Sequence, residues 1–319
     1  MKLGIVFTIF KGRPFEEAMD FCSNLGLEAV EFPVAGYPNS EHFDLKKLLN
    51  NSSEINKLRK AVSDRNMIIS AIDGHGNVLH PNPEIAKKFQ DGQRDAILLA
   101  EKLEIELYCG LSGCPGTPGE KRYPNWVGFG WPSQFVELLD WQWKEKIIPF
   151  WQDEADFAEK HGVKLCFEMH GGDAVYNPES LLKLRKAVGN IVGANYDPSH
   201  LFWQGIDPIA ALKSLGNIVY HAHAKDTILN DKVAINGVMD PTPIADWKHR
   251  SWQFRTVGYG HDQKFWKDII SAYRTIGYDF VHSLEHEDAM ASVDEGVTKA
   301  VKFLQQVMLR EEPGEVLWV

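Results

Sequence analysis

Short apolar runs recur along the chain at intervals that a helix can fill. Eight have the length of a strand: LGIVFT (3–8), LEAVEFP (27–33), MIISAID (67–73), IELYCGL (105–111), VKLCFEM (163–169), VGANYD (192–197), IVYHAHA (218–224) and FVHSLEH (280–286). Between them apolar residues fall at a helical period, as in PEIAKKFQDGQRDAILLAEKL and DQKFWKDIISAYRTIG. Asn177-Pro178 and Asp207-Pro208 open two of these stretches, and Gly26, Gly189, Gly216 and Gly277 close four. Proline inside the start and glycine past the end is the usual asymmetry of helix termini.

Strands spaced by helices demand parallel pairing through crossovers, and eight such units predict an α/β fold, a closed (β/α)8 TIM barrel occupying residues 1–312 as one domain, followed by a tail at 313–319. An open doubly wound sheet would carry a nucleotide loop such as GxGxxG after its first strand, where this chain reads TIFKGRP. Two segments exceed ordinary loop length, 112–132 and 227–260. Both follow predicted strands, so a barrel puts them on its C-terminal rim, where lids and pockets are built.

Composition narrows the function. With 44% apolar and 24% charged residues the chain can bury a large core. Its 34 basic and 44 acidic residues leave a net charge of −10, with the basic ones scattered, which counts against a binder that neutralises phosphates. The four cysteines, Cys22, Cys109, Cys114 and Cys166, show no zinc-finger or CxxC spacing, and Cys109 and Cys166 read as small core residues. No signal peptide and no run of eighteen apolar residues is evident, so the expectation is a cytoplasmic protein without membrane or nucleic-acid partners.

The informative residues close the last four predicted strands: Glu168 and His170, Asp197 and His200, His221 and His223, Glu285 and His286. Alternation puts His221, His223 and Lys225 on one face, and sets Cys166, Glu168 and His170 opposite Phe167 and Met169. Taken singly each has a plainer reading: Asp197 before Pro198 opens a turn, and His200 or His221 satisfies a backbone group. Four such residues on four successive strand ends instead predict a rim site for one divalent ion held by Glu168, Asp197, His223 and Glu285. Mn2+ stands ahead of Mg2+, Co2+ and Zn2+, because carboxylates suit hard ions and imidazole leans to transition metals. Three carboxylates brought together call for a cation to offset them.

From FEMHGG through DPSHLFWQGIDP and HAHAKD to SLEHED, the chain resembles the xylose-isomerase-like barrels, the superfamily of sugar phosphate isomerases and epimerases. The resemblance implies the same four ligands. In the ketose 3-epimerases of that superfamily the two glutamates, here Glu168 and Glu285, also serve as paired acid and base, and the histidine of DPSH, here His200, contacts substrate oxygens. The implied activity is a metal-dependent sugar or keto-sugar isomerase or epimerase, moving a proton beside a carbonyl through an enediolate.

Two positions depart from the epimerase pattern. A glutamate expected six residues after the first ligand is Ala174, and an arginine expected six after the metal histidine is Leu229, with Arg255 as a substitute from the long segment. Glu168-x-His170 instead resembles members acting on oxidised sugars, including the catalytic subunit of C-glycoside deglycosidases. There a histidine beside the metal acts as base, so the alternative is a lyase expelling an aglycone or water from a 3-keto-sugar, with His170 as catalytic base. An AP-endonuclease-like phosphodiesterase would need more ligands and a basic groove, and a noncatalytic sugar-binding barrel is the remaining reading.

The expected substrate-binding set is His75, His200, Lys225, Arg255 and Trp126. His80, Trp131, Trp203 and Trp252 are further rim candidates, the tryptophans for stacking on a sugar face. The last residues, EEPGEVLWV, end in an apolar VLWV that predicts docking on the barrel or on a neighbouring subunit. The expected assembly is a homo-oligomer, dimer or tetramer, with a heteromeric partner also open.

Overall fold

A computed structural model describes residues 1–36, 41–311 and Gly314. The eight predicted strands form as β1 (Lys2–Val6), β2 (Ala29–Gly36), β3 (Ile68–His75), β4 (Leu107–Gly110), β5 (Lys164–Glu168), β6 (Val192–Tyr196), β7 (Val219–Ala224) and β10 (Val281–Leu284). All pair in parallel, and β10 lies between β7 and β1, closing the ring of a TIM barrel.

Helices connect the strands on the outside. Asn82, Asn177 and Asp207 each cap a helix whose first residue is proline, at Pro83–Leu103, Pro178–Val188 and Pro208–Leu215. Each cap side chain accepts a backbone N–H that the helix leaves unpaired. Two helices, Leu45–Asn50 and Ser52–Ser63, fill the crossover from β2 to β3.

The long segment 227–260 is more than a loop. It holds an antiparallel hairpin with the residue before it, β8 (Asp226–Leu229) and β9 (Trp252–Arg255), in the register Asp226 opposite Arg255 and Leu229 opposite Trp252. Before β5, a helix at Ser133–Gln142 passes through a π turn at Trp143–Ile147 into a second helix at Ile148–Lys160.

Alternation along the strands separates two cores. Outward residues meet the helices: Phe167 packs against Trp151, ring centroids 4.4 Å apart, and the Trp151 Nε1–H donates to the Ser112 carbonyl at 3.0 Å. Apolar side chains buried to this degree, Leu3, Ile5, Phe32 and Phe167 among them, contribute about 1.5–3 kcal/mol each. Inside the barrel a smaller apolar layer comprises Ala71, Leu107, Cys109 and Cys166, as expected for the two cysteines. All four cysteines are free and buried. Among the described residues no helix is long and apolar enough to cross a membrane. The predicted tail at 313–319 lies outside the described residues except for Gly314.

Candidate metal centre

The barrel's C-terminal rim gathers the four expected ligands. Glu168 is the last residue of β5 and sits opposite Asn195 of β6, so Asp197, two residues further, emerges just past that strand. His223 lies on β7 opposite Ser283 of β10, and Glu285 follows β10, its N–H donating to the Ala224 carbonyl at 3.1 Å. One donor atom from each of Glu168, Asp197, His223 and Glu285 lies within 4.8 Å of the other three.

Cation-capable side chains surround these acids. His200 Nε2 is 2.8 Å from Glu168 Oε1, and His75 Nε2 is 3.8 Å from Glu168 Oε2. Lys225 is buried with its Nζ 3.2 Å from Glu285, 2.7 Å from Glu287 and 3.9 Å from Asp197, beneath the Phe254 ring at 4.2 Å. His170 lies on the outer side of His200, ring centroids 4.3 Å apart, with its Nδ1 3.4 Å from Asp173.

These contacts set the protonation states. Burial would raise Glu168, but His200 and His75 hold it well below the usual carboxylate range. Burial likewise opposes Glu285, which Lys225 and His223 bring down to about 2. Asp197 behaves differently: burial pushes it up to about 7, with Lys225 opposing and the charges of Glu168 and Glu285 adding to the rise. Burial opposes the His170 cation, yet Asp173 raises it to about 9. His200 falls to about 4 through burial and the neighbouring His170.

The donor set fits a divalent ion. Asp197 Oδ2, His223 Nδ1 and Glu285 Oε2 are buried without a hydrogen bond, and their three side chains belong to the one donor cluster. Three carboxylates and one imidazole are the mixed hard and borderline ligands that such an ion takes.

Other expected residues fall elsewhere. Arg255 is on β9 with its Nε 3.2 Å from Asp288, so its charge is spent on the loop after β10 rather than on the four donors. Trp126 stands edge-on to Tyr176 at 5.4 Å, in a wall shared with Cys114 and Asp173, on the His170 side of the rim. Trp203 and Trp252 stack on each other at 4.9 Å and 5°, and both are buried, so neither offers a free face to a sugar. Gly171 is what lets Trp203 reach that position, since a Cβ there would come within 2.5 Å of the indole. Trp131 is exposed, and His80 Nδ1 accepts the Asn82 N–H within its own loop.

Sequence reasoning missed a second polar layer directly beneath the rim. Glu31 of β2 and Asp73 of β3 are fully buried beside Asn195, His221 and His223. Glu31 lies 3.0 Å from His223 Nε2 and 3.7 Å from His221 Nε2. The signal was present as acids at inward positions of LEAVEFP and MIISAID, where the neighbours Val30, Phe32 and Ile72 point outward.

The model of the xylose isomerase-like TIM barrel family matches residues 19–307. The chain is 35% identical over 312 residues to the uncharacterized protein YfiH of Bacillus subtilis (strain 168), spanning 97% of this chain and 99% of that protein. Among solved structures it resembles the probable 3-DHS dehydratase AsbF of Bacillus anthracis (17% identity, TM-score 0.67, 96% and 99% of the two chains). It also resembles the IolI protein with a bound zinc atom (16%, 0.65, 96% of both chains) and the D-psicose 3-epimerase of Clostridium cellulolyticum H10 (16%, 0.63, 97% and 99%).

Proposed function

Because the chain belongs to the xylose isomerase-like TIM barrel family, we propose that it is a metal-dependent sugar or keto-sugar isomerase or epimerase, working by proton transfer at the carbon beside a carbonyl. The observation that carries this reading is the pairing of two glutamates in one donor cluster, Glu168 against His200 and His75, Glu285 against Lys225 and His223.

A divalent ion held by Glu168, Asp197, His223 and Glu285 would supply Lewis acidity, drawing electrons from the substrate carbonyl and acidifying the adjacent C–H. The chain's own groups do the rest. A carboxylate can take up the proton that the ion's Lewis acidity loosens, and Glu168, closing β5, and Glu285, following β10, would supply two such groups in the one cluster. Lys225 offsets the surplus negative charge and holds Glu285 in place. His200 and His75, which flank Glu168, are placed to hold substrate hydroxyls. Phe254 covers Lys225 and meets the His200 ring edge-on at 5.3 Å, keeping water from that side.

A second reading, elimination of a β-hydroxyl or aglycone from a keto-sugar, is favoured by one specific contact. His170 with Asp173 is an imidazole whose cation is stabilised at the rim, beside the cluster yet outside it. Such a group can protonate a leaving oxygen or act as base once neutral.

Incubating the metal-loaded protein with a panel of ketoses, keto-sugars and keto-glycosides in D2O tests both readings. Deuterium at the carbon beside the carbonyl, lost in Glu168→Gln or Glu285→Gln by about a hundredfold or more, is the expected result. Release of water or aglycone, lost in His170→Ala, would transfer the assignment to the lyase. A protein that takes up no divalent ion at all would remove the basis of both.

A further inference from the structure

His223 has two nitrogens and faces a different environment with each. Nδ1 looks towards the donor cluster, 3.1 Å from Glu285 and 3.8 Å from Glu168. Nε2 looks down into the barrel, where Glu31 presents both oxygens at 3.0 and 3.2 Å and Asn195 presents its amide at 3.0 Å. A histidine can ligate an ion only through a nitrogen that carries no proton, so which nitrogen is bare decides whether this side chain belongs to the centre.

The two neighbours of Nε2 ask for opposite answers. The Asn195 amide group, its Nδ2 towards His223 and its Oδ1 3.1 Å from His221 Nδ1, would donate to a bare Nε2 and leave the proton on Nδ1. The Glu31 carboxylate asks for a proton on Nε2 and leaves Nδ1 bare. A hydrogen bond to a charged acceptor is about twice as strong as one between neutral groups, and burial strengthens it further. Glu31 therefore decides the matter.

We propose that Glu31 is the positioning residue of the metal centre: from β2, 192 residues away in sequence, it holds the proton of His223 on Nε2 and aims Nδ1 at the ion. Asp73 and His221 complete the arrangement. Asp73, on the adjacent strand β3, lies beside Glu31 and is fully buried with neither oxygen hydrogen-bonded, and His221 Nε2 is 3.7 Å from the Glu31 carboxylate. The β2 and β3 half of the barrel, which supplies none of the four expected ligands, thus takes part in the site through its interior. This inference rests on the metal-binding reading given above and adds a residue to it. Metal-ligating histidines characteristically hand their other N–H to a carboxylate in this way, and loss of that partner costs about ten- to a hundredfold in affinity.

The test is Zn2+ affinity by competition with a chromophoric chelator, on the full chain and on Glu31→Gln, with circular dichroism as the check on folding. Glutamine keeps the shape but offers an amide that can donate as well as accept, so it no longer selects a tautomer. The expected result is one Zn2+ per chain in the parent and about a tenfold to hundredfold weaker site in Glu31→Gln with an unchanged fold. Equal affinities in the two proteins would overturn the positioning role while leaving the metal centre standing. A parent that binds no Zn2+ would sink the proposed function and this inference together. Should Glu31→Gln fail to fold, histidine 15N spectra of the Zn2+-loaded parent decide: ligation through Nδ1 with a slowly exchanging Nε2–H agrees with the proposal, and ligation through Nε2 rejects it.

Discussion

Cys22 lies on the buried face of the helix Phe15–Asn24 and Cys114 in the rim segment beside Trp126, and burial pushes both thiols up to about 12. The sign is simple: a raised thiol is protonated below its pKa, so at pH 8 only about one molecule in ten thousand carries the reactive thiolate. The folded protein is therefore expected to resist a thiol reagent at pH 8, and the denatured chain to take up four labels, matching its four cysteines. Rapid labelling of Cys114 alone would mean that the segment over it opens in solution. Single residues also mark what the sequence disclosed. Glu168, Asp197, His223 and Glu285 were legible because each falls at a strand end on the inward face. Glu31 was not, because its meaning comes from His223, and no local pattern links positions so far apart.

The hairpin of β8 and β9 hangs on one carboxylate. Asp226 is fully buried and accepts N–H donors from Thr227 at 2.9 Å and from Gly258, Gly260 and His261 at 3.0 Å, with His261 Nδ1 at 2.8 Å. Asp288 adds a second tie, accepting from the Thr256 N–H at 2.8 Å. Replacing Asp226 with alanine strips one buried and several half-buried N–H groups of their acceptor, and a cost of about 2–4 kcal/mol is expected. Urea unfolding measures it, and hydrogen exchange should quicken at Gly258, Gly260 and His261 first. A stability loss with protection at those amides unchanged would place the damage elsewhere. This element was the one most poorly read from sequence. Eight barrel strands stood out because each is a continuous apolar run between helix-length spacers. The hairpin strands are four residues each, separated by twenty-two residues without a short turn signal, so the alternation of Trp252 and Phe254 was taken for part of a loop.

The ring closes where its ends meet. β1 pairs with β10 in the register Lys2 opposite Val281 through Ile5 opposite Leu284, and the Lys2 N–H donates to the Phe280 carbonyl at 2.8 Å. Two more groups tie the same seam to the site: His282 Nε2 stands 3.2 Å from the His223 carbonyl, and Glu285 follows directly on β10. A chain ending at residue 279 lacks the seam and one of the four donors, so it is expected to show neither cooperative unfolding nor stoichiometric uptake of Zn2+. Full uptake by that fragment would show that the cluster does not depend on closure. The fold as a whole was readable because a parallel barrel repeats one simple unit eight times; the interior polar layer was not, because it exists only across the ring. That seam also imposes an order of events in the living cell. A ribosome delivers β10 last, so the growing chain has no complete nest of donors to offer while it is being made. An ion held by those four donors would be collected only after β10 has joined the ring, from whatever divalent ions surround the finished barrel at that moment.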